Sequence, residues 1–110
     1  MARGPARAGM VEIDRSEAGI LAIRGALTFA TARQAFTDGG RALAEGAQTH
    51  LDLAGVTQAD SAGLACVIAL AAAASRSGRQ LRIANWPEGL RALGQVCGVI
   101  PLLEPMREPA

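Results

Sequence analysis

His50-Leu51-Asp52-Leu53-Ala54-Gly55-Val56-Thr57-Gln58-Ala59-Asp60-Ser61-Ala62-Gly63-Leu64-Ala65-Cys66-Val67-Ile68-Ala69-Leu70 is the stretch that decides the fold. His50 to Leu53 is a short apolar run ended by Gly55, which reads as an inner strand of a helix-covered sheet. Thr57 and Gln58 fall in the loop that follows. Asp60 and Ser61 are two good N-cap residues, and from Ala62 to about Arg76 the spacing is helical, closed by Gly78. A strand therefore feeds a helix across one short connection.

The flanking sequence repeats this alternation. Ile20 to Ile23 is an apolar run closed by Gly25 and reads as a strand, joined by a hairpin over Glu17-Ala18-Gly19 to a first strand at Val11 to Asp14. From Thr31, the spacing of Ala32, Ala35, Phe36 and Leu43 predicts a helix stopped by Gly46, although Gly39 and Gly40 inside it cost about 1 kcal/mol each. Leu81 to Ala84 alternates as a strand. Pro87 suits the first turn of a third helix carrying Leu90, Leu93 and Val96 and ended by Gly98, and Val99 to Leu103 forms a last short element. Strands alternating with helices, with no repeat and no long linker, place the chain in the α/β class.

The chain has 110 residues, half of them hydrophobic, enough to bury one core. Residues 11–104 read as the domain, with 1–10 a disordered tail and 105–110 a second tail. Eleven arginines, no lysine and 10 acidic residues give a net charge of +1, spread along the chain, so no nucleic-acid partner is expected. Met1 to Gly9 carries Arg3 and Arg7 but no apolar run of the signal-peptide kind, which predicts a cytoplasmic protein. The only cysteines, Cys66 and Cys97, lie in apolar helical patterns and are expected to be reduced, buried and inert.

Catalytic constellations are missing. Without lysine there is no phosphate-binding Gly-x-x-x-x-Gly-Lys-Ser/Thr loop. His50 is the single histidine and has no second ligand at metal spacing, so no metal and no cofactor are expected. Ser61 could pair only with His50, and it lacks the Gly-x-Ser-x-Gly elbow; Asp52 and Asp60 read as caps or solvated groups rather than an acid/base pair. Trp86 reads as an edge of the core. The chain is read as no enzyme.

The helix beginning at Ser61 has an unusual surface. At about 100° per residue, Leu64, Val67, Ile68, Leu70, Ala71 and Ala74 share one arc, the natural core face. The opposite arc holds Ala62, Ala65, Ala69, Ala72 and Ala73, with Cys66 at its edge, and its first charge is Arg76. Either alanine stands there as the best helix former, or the face is kept flat and uncharged because a protein lies against it. Ala62 to Ala74 is far short of the roughly 20 residues that cross a bilayer, so no direct membrane insertion is expected.

The run Leu51-Asp52-Leu53 followed by Asp60-Ser61-Ala62-Gly63-Leu64 resembles the STAS domains of sulfate transporters and anti-sigma-factor antagonists, over about Ile20 to Leu103. The resemblance implies a small mixed sheet of about four to five strands with a mainly parallel core, covered by about three to four helices. It looks closer to the MlaB-like branch, through Ala62-Gly63-Leu64-Ala65 and its apolar continuation and through Pro87-Glu88-Gly89-Leu90-Arg91-Ala92-Leu93 leading to Cys97-Gly98-Val99. An aromatic residue is common where Cys97 stands.

That branch implies an accessory subunit of an MlaFEDB-type ABC transporter for intermembrane phospholipid transport and outer-membrane lipid asymmetry. Its partner would be the cytoplasmic, MlaF-like ATPase, which would hold it peripheral to the inner membrane next to the permease. The alternative is an anti-sigma-factor antagonist in which a partner kinase phosphorylates Ser61. The partner-binding residues expected on either reading are Thr57, Gln58, Asp60, Ser61, Ala62, Ala65, Ala69, Ala72 and Arg76. From the residues alone Ser61 is cap, contact or switch: its hydroxyl can accept an N-terminal N–H, or, where Asp60 caps, stand exposed at the positive end of the helix dipole.

Overall fold

The computed structural model describes residues 9–98. Its elements run β1 (Val11–Asp14), β2 (Ile20–Leu27), α1 (Ala32–Glu45), β3 (His50–Ala59), α2 (Ser61–Arg76), β4 (Arg82–Ala84) and α3 (Glu88–Val96). The four strands lie in chain order in one mixed sheet, with β1 antiparallel to β2, and β2–β3 and β3–β4 parallel. The expected tails and the expected element at Val99 to Leu103 lie outside the described residues, apart from Gly9 and Met10.

Alternation along the strands builds the core. Leu21 and Ile23 of β2, Leu51 and Leu53 of β3 and Ile83 of β4 are buried, and they meet Leu64, Val67, Leu70 and Ala74 of α2, Ala35, Ala42 and Leu43 of α1 and Leu90 of α3. Each large side chain so buried stabilises the fold by roughly 1.5 to 3 kcal/mol. The helix α2 packs against α1, α3 and β3, while α1 also covers β1 and β2. Trp86 packs, half-buried, on the edge of this core.

Gly39 explains why α1 carries glycine in its interior. A Cβ there would stand 3.1 Å from the Leu70 side chain, so its absence lets α1 and α2 close together; Gly40 beside it faces open space. At the far end of α2, Gly78 (φ +80°) takes the left-handed position, with Gly78 N–H bonded to Ser75 O and Arg79 N–H to Ala74 O, the Schellman closure. The Arg79 guanidinium then donates to Leu43 O and, at 3.2 Å, to Gln48 O, tying the end of α2 to the last turn of α1.

Two glycines expected to end strands do not. The strand β2 passes through Gly25 (φ +91°) to Leu27 by register shifts against β3, and β3 passes through Gly55 to Ala59. Gly55 faces Arg24 across the register, and the arginine stem occupies the space a Cβ would need. The Arg24 head is in turn held by Asp14 and, at 3.5 Å, by Glu12 on β1. The ladder closes over glycine because a neighbouring strand fills the gap.

Three further expectations are corrected. Thr57 and Gln58 are not in a loop but in the last part of β3, exposed, where Gln58 pairs with Ala26. Pro87 is the N-cap of α3, not a residue of its first turn. Cys97 is exposed as the C-cap residue of α3, because the helix has turned its apolar side to the core at Leu90 and Gly94 by then. Cys66 is buried as expected, and burial pushes its thiol up to about 11.

Candidate functional site

The site is built where β2 and β3 end side by side. Asp60 leaves β3 in extended conformation and becomes the N-cap of α2, its Oδ1 accepting from Ala62 N–H at 3.0 Å and Gly63 N–H at 3.1 Å. Its Oδ2 accepts from the Phe29 N–H at 3.0 Å, and the Asp60 N–H points to Leu27 O at 3.4 Å. One carboxylate thus satisfies orphan donors of the helix and also ties α2 to the β2–α1 turn. The Phe29 N–H, together with those of Gly63 and Ala62, holds the Asp60 carboxyl below the usual carboxylate value.

With Asp60 as the cap, Ser61 is not needed for capping and stands exposed at the first position of α2. Ser61, Ala65, Ala69, Ala72 and Arg76 follow one another at intervals of four, four, three and four residues, so they form a single stripe along the helix. Along it Ser61, Ala65 and Arg76 are exposed and Ala69 and Ala72 half-buried, as is Ala62 beside it, because α2 sits between α1 and α3. Cys66, expected at the edge of this arc, is buried, and Ile68, expected in the core, is half-buried against it.

Thr57, Gln58, Asp60, Ser61 and Ala62 are brought together at the N-terminal end of the helix. Arg76 is not, since fifteen residues of helix put it about 22 Å away. The two catalytic pairings considered from sequence are separated by the length of β3: His50 begins the strand and Ser61 follows it, roughly 30 Å apart, and Asp52 stands roughly 25 Å from Asp60. Asp52 instead accepts from Ala54 N–H and Asn85 Nδ2, each at 2.9 Å. Among the described residues no cluster of three or more His, Cys, Asp or Glu could hold a metal ion, and no helix is long and apolar enough to cross a membrane.

Sequence reasoning missed Phe29. Its side chain is 85% exposed, yet its backbone sits in a turn closed by Thr31 N–H and Ala32 N–H on Thr28 O, at 3.0 and 2.7 Å. The buried Thr31 hydroxyl accepts from Thr28 N–H and donates to Ala26 O at 2.6 Å. The available signal was Leu27-Thr28-Phe29-Ala30-Thr31: an aromatic residue directly between a strand end and a helix cap, with no periodicity to bury it.

Comparison with known proteins agrees with this architecture. The structure of the phosphorylated form of the Bacillus cell fate determinant SpoIIAA superposes with a TM-score of 0.64 at 19% identity, over 91% of this chain and 90% of that one. The unphosphorylated form of the anti-sigma factor antagonist SpoIIAA gives a TM-score of 0.59 at 18% identity, over 77% and 81%. The murine anion transporter Slc26a9 matches with a TM-score of 0.59 at 19% identity, over 79% of this chain but only 15% of the transporter. No curated protein sequence matches the chain. At these identities the superpositions establish the fold, a mixed four-stranded sheet with three helices among the described residues. A family profile described as "Mlab, STAS domain" matches residues 11–104, and the chain belongs to the STAS domain family.

Proposed function

We propose that this protein is the STAS subunit of an MlaFEDB-type ABC transporter, which moves phospholipid between the two membranes of a Gram-negative envelope. It binds the cytoplasmic ATPase through the exposed stripe of α2 and the residues before it, and performs no chemistry itself. The observation that carries this reading is the stripe: from Ser61 through Ala65, Ala69 and Ala72 a surface helix presents no charge until Arg76. A solvated helix normally carries charged residues on that side, and a flat small-residue face lets a second backbone approach closely. The MlaB-type family match supports the choice of partner.

The test is Ala65→Arg, which puts a long charged side chain in the middle of the stripe at an exposed position. The variant is expected to keep its circular dichroism spectrum and melting temperature and to lose co-purification with the ATPase. An Ala65→Arg protein that folds and still co-purifies at normal yield overturns the assignment.

A second reading rests on Ser61. An exposed hydroxyl at the first position of a capped helix is open to a kinase, and a phosphate there would face the N-terminal N–H groups and the positive end of the dipole. On that reading the protein is an anti-sigma-factor antagonist whose partner choice follows Ser61 phosphorylation. Protein isolated from its native host and carrying no Ser61 phosphate in any growth condition contradicts it.

A further inference from the structure

The α2 stripe is too small to make an interface alone. Sixteen residues of helix measure about 24 Å by 10 Å, some 240 Å², whereas a stable complex buries about 800 Å² on each partner. Alanine also contributes little binding energy of its own; interfaces are dominated by a few aromatic or arginine anchors on rigid supports. The stripe therefore needs an anchor beside it.

Phe29 meets both requirements. Its ring is 85% exposed, while its backbone is fixed by the Thr28–Thr31 turn and by the Asp60 carboxylate that caps α2. A phenyl group held outward by this many backbone bonds is ordered before any partner arrives, so little entropy is lost on binding. Met10, 49% exposed, enters from the neighbouring strand, its carbonyl accepting from Ala26 N–H at 2.7 Å. Ala59 and Ser61 are exposed on the other side, and the one carboxylate nearby, Asp60, is turned inward onto three N–H groups.

We infer that Phe29 is the anchor of the docking surface and seats in an apolar, uncharged socket on the ATPase, with the α2 stripe lying flat beside it. This rests on the proposed function for the identity of the partner. A second copy of the chain is a poor host. Of its two clefts, that between β1 and α1 is lined by Glu12, Arg15, Asp38, Arg41 and Glu45, and that on the outer sheet face by Asp14, Glu17, Arg24 and Asp52. Either would set the ring against charged groups that lose water for no return.

The test is biolayer interferometry of the purified chain on the ATPase subunit of the MlaFEDB-type transporter from the same organism. Phe29→Ala is expected to keep its melting temperature, the ring being exposed, and to weaken binding about 30-fold, mainly through faster dissociation. Wild type binding, Ala65→Arg abolishing it and Phe29→Ala staying within about twofold would overturn the anchor and leave the proposed function standing. Wild type failing to bind would overturn both. Sedimentation equilibrium showing a dimer that Phe29→Ala dissolves would assign the ring to a second copy and overturn the inference as stated.

Discussion

Replacing Gly63 with alanine sets two effects of opposite sign against each other. Alanine is favoured over glycine in a helix by up to about 1 kcal/mol, which alone would stabilise the protein. At position 63, however, the new Cβ would fall on the Leu27 carbonyl oxygen, far inside contact distance, and 3.0 Å from the carbonyl carbon. That neighbour is backbone in the last residue of β2 and cannot rotate away. Overpacking of a tight contact costs about 1 to 3 kcal/mol, toward the upper end where the obstacle is main chain. A net loss of about 2 kcal/mol is expected, a fall in Tm of roughly 10 °C for a domain of this size. Gly40→Ala is the matched control: also in a helix, also without a side chain, but with nothing within 4 Å of the new Cβ. It is expected to raise Tm by a few degrees, toward the full helix-propensity gain of about 1 kcal/mol. Urea and thermal unfolding of the two variants decide the matter. A Gly63→Ala protein as stable as Gly40→Ala would mean that α2 does not approach β2 as described, and the Asp60 to Phe29 link would fall with it.

Further outcomes follow from the same contacts. Asp60 has a folded-state pKa held below its ordinary value, so its contribution is complete above the unfolded value of about 3.9 and is lost as pH falls through the lower folded one. The amide signals of Phe29, Ala62 and Gly63 should therefore titrate together in an NMR pH series, with a midpoint below that value; a midpoint at or above it contradicts the three-donor geometry. Arg79→Met keeps the apolar stem but removes the bonds to Leu43 O and Gln48 O, and should cost about 2 kcal/mol in urea unfolding. A loss under about 0.5 kcal/mol would show the clamp to be incidental. Of the two thiols, Cys97 should react with Ellman's reagent in the folded protein, whereas Cys66, buried and with its pKa pushed up to about 11, should react only on unfolding. Two equivalents released at once from native protein would refute the burial of Cys66.

The elements themselves were legible because each carries its own punctuation. Asp60 before an apolar run, Gly78 after it, Gly46 after α1 and the Glu17-Ala18-Gly19 hairpin mark boundaries through local backbone preferences, and these agree with the structure. Strand ends at Gly25 and Gly55 were misread for a reason no local pattern contains. Each glycine sits where two strands shift register, and only the neighbouring strand, through Arg24 above all, makes continuation favourable. Thr57 and Gln58 moved from loop to strand as a consequence. For the candidate site, the capping role of Asp60 and the exposure of Ser61 were readable from the N-cap rule, and the uncharged stripe from helical spacing. Phe29 was not, because its importance comes from a bond to a residue thirty-one positions away. Cys97 was misjudged because an apolar neighbourhood in sequence does not say which side of a helix end faces the core.

The most direct test of the central claim is capture of the tagged protein from its native host in mild detergent, with bound proteins identified by mass spectrometry. The account predicts an ABC ATPase together with its membrane permease, both lost on Ala65→Arg. Recovery of a kinase-like anti-sigma factor in their place, with Ser61 phosphorylated in part of the population, would contradict it and make Ser61, not the α2 stripe, the centre of function.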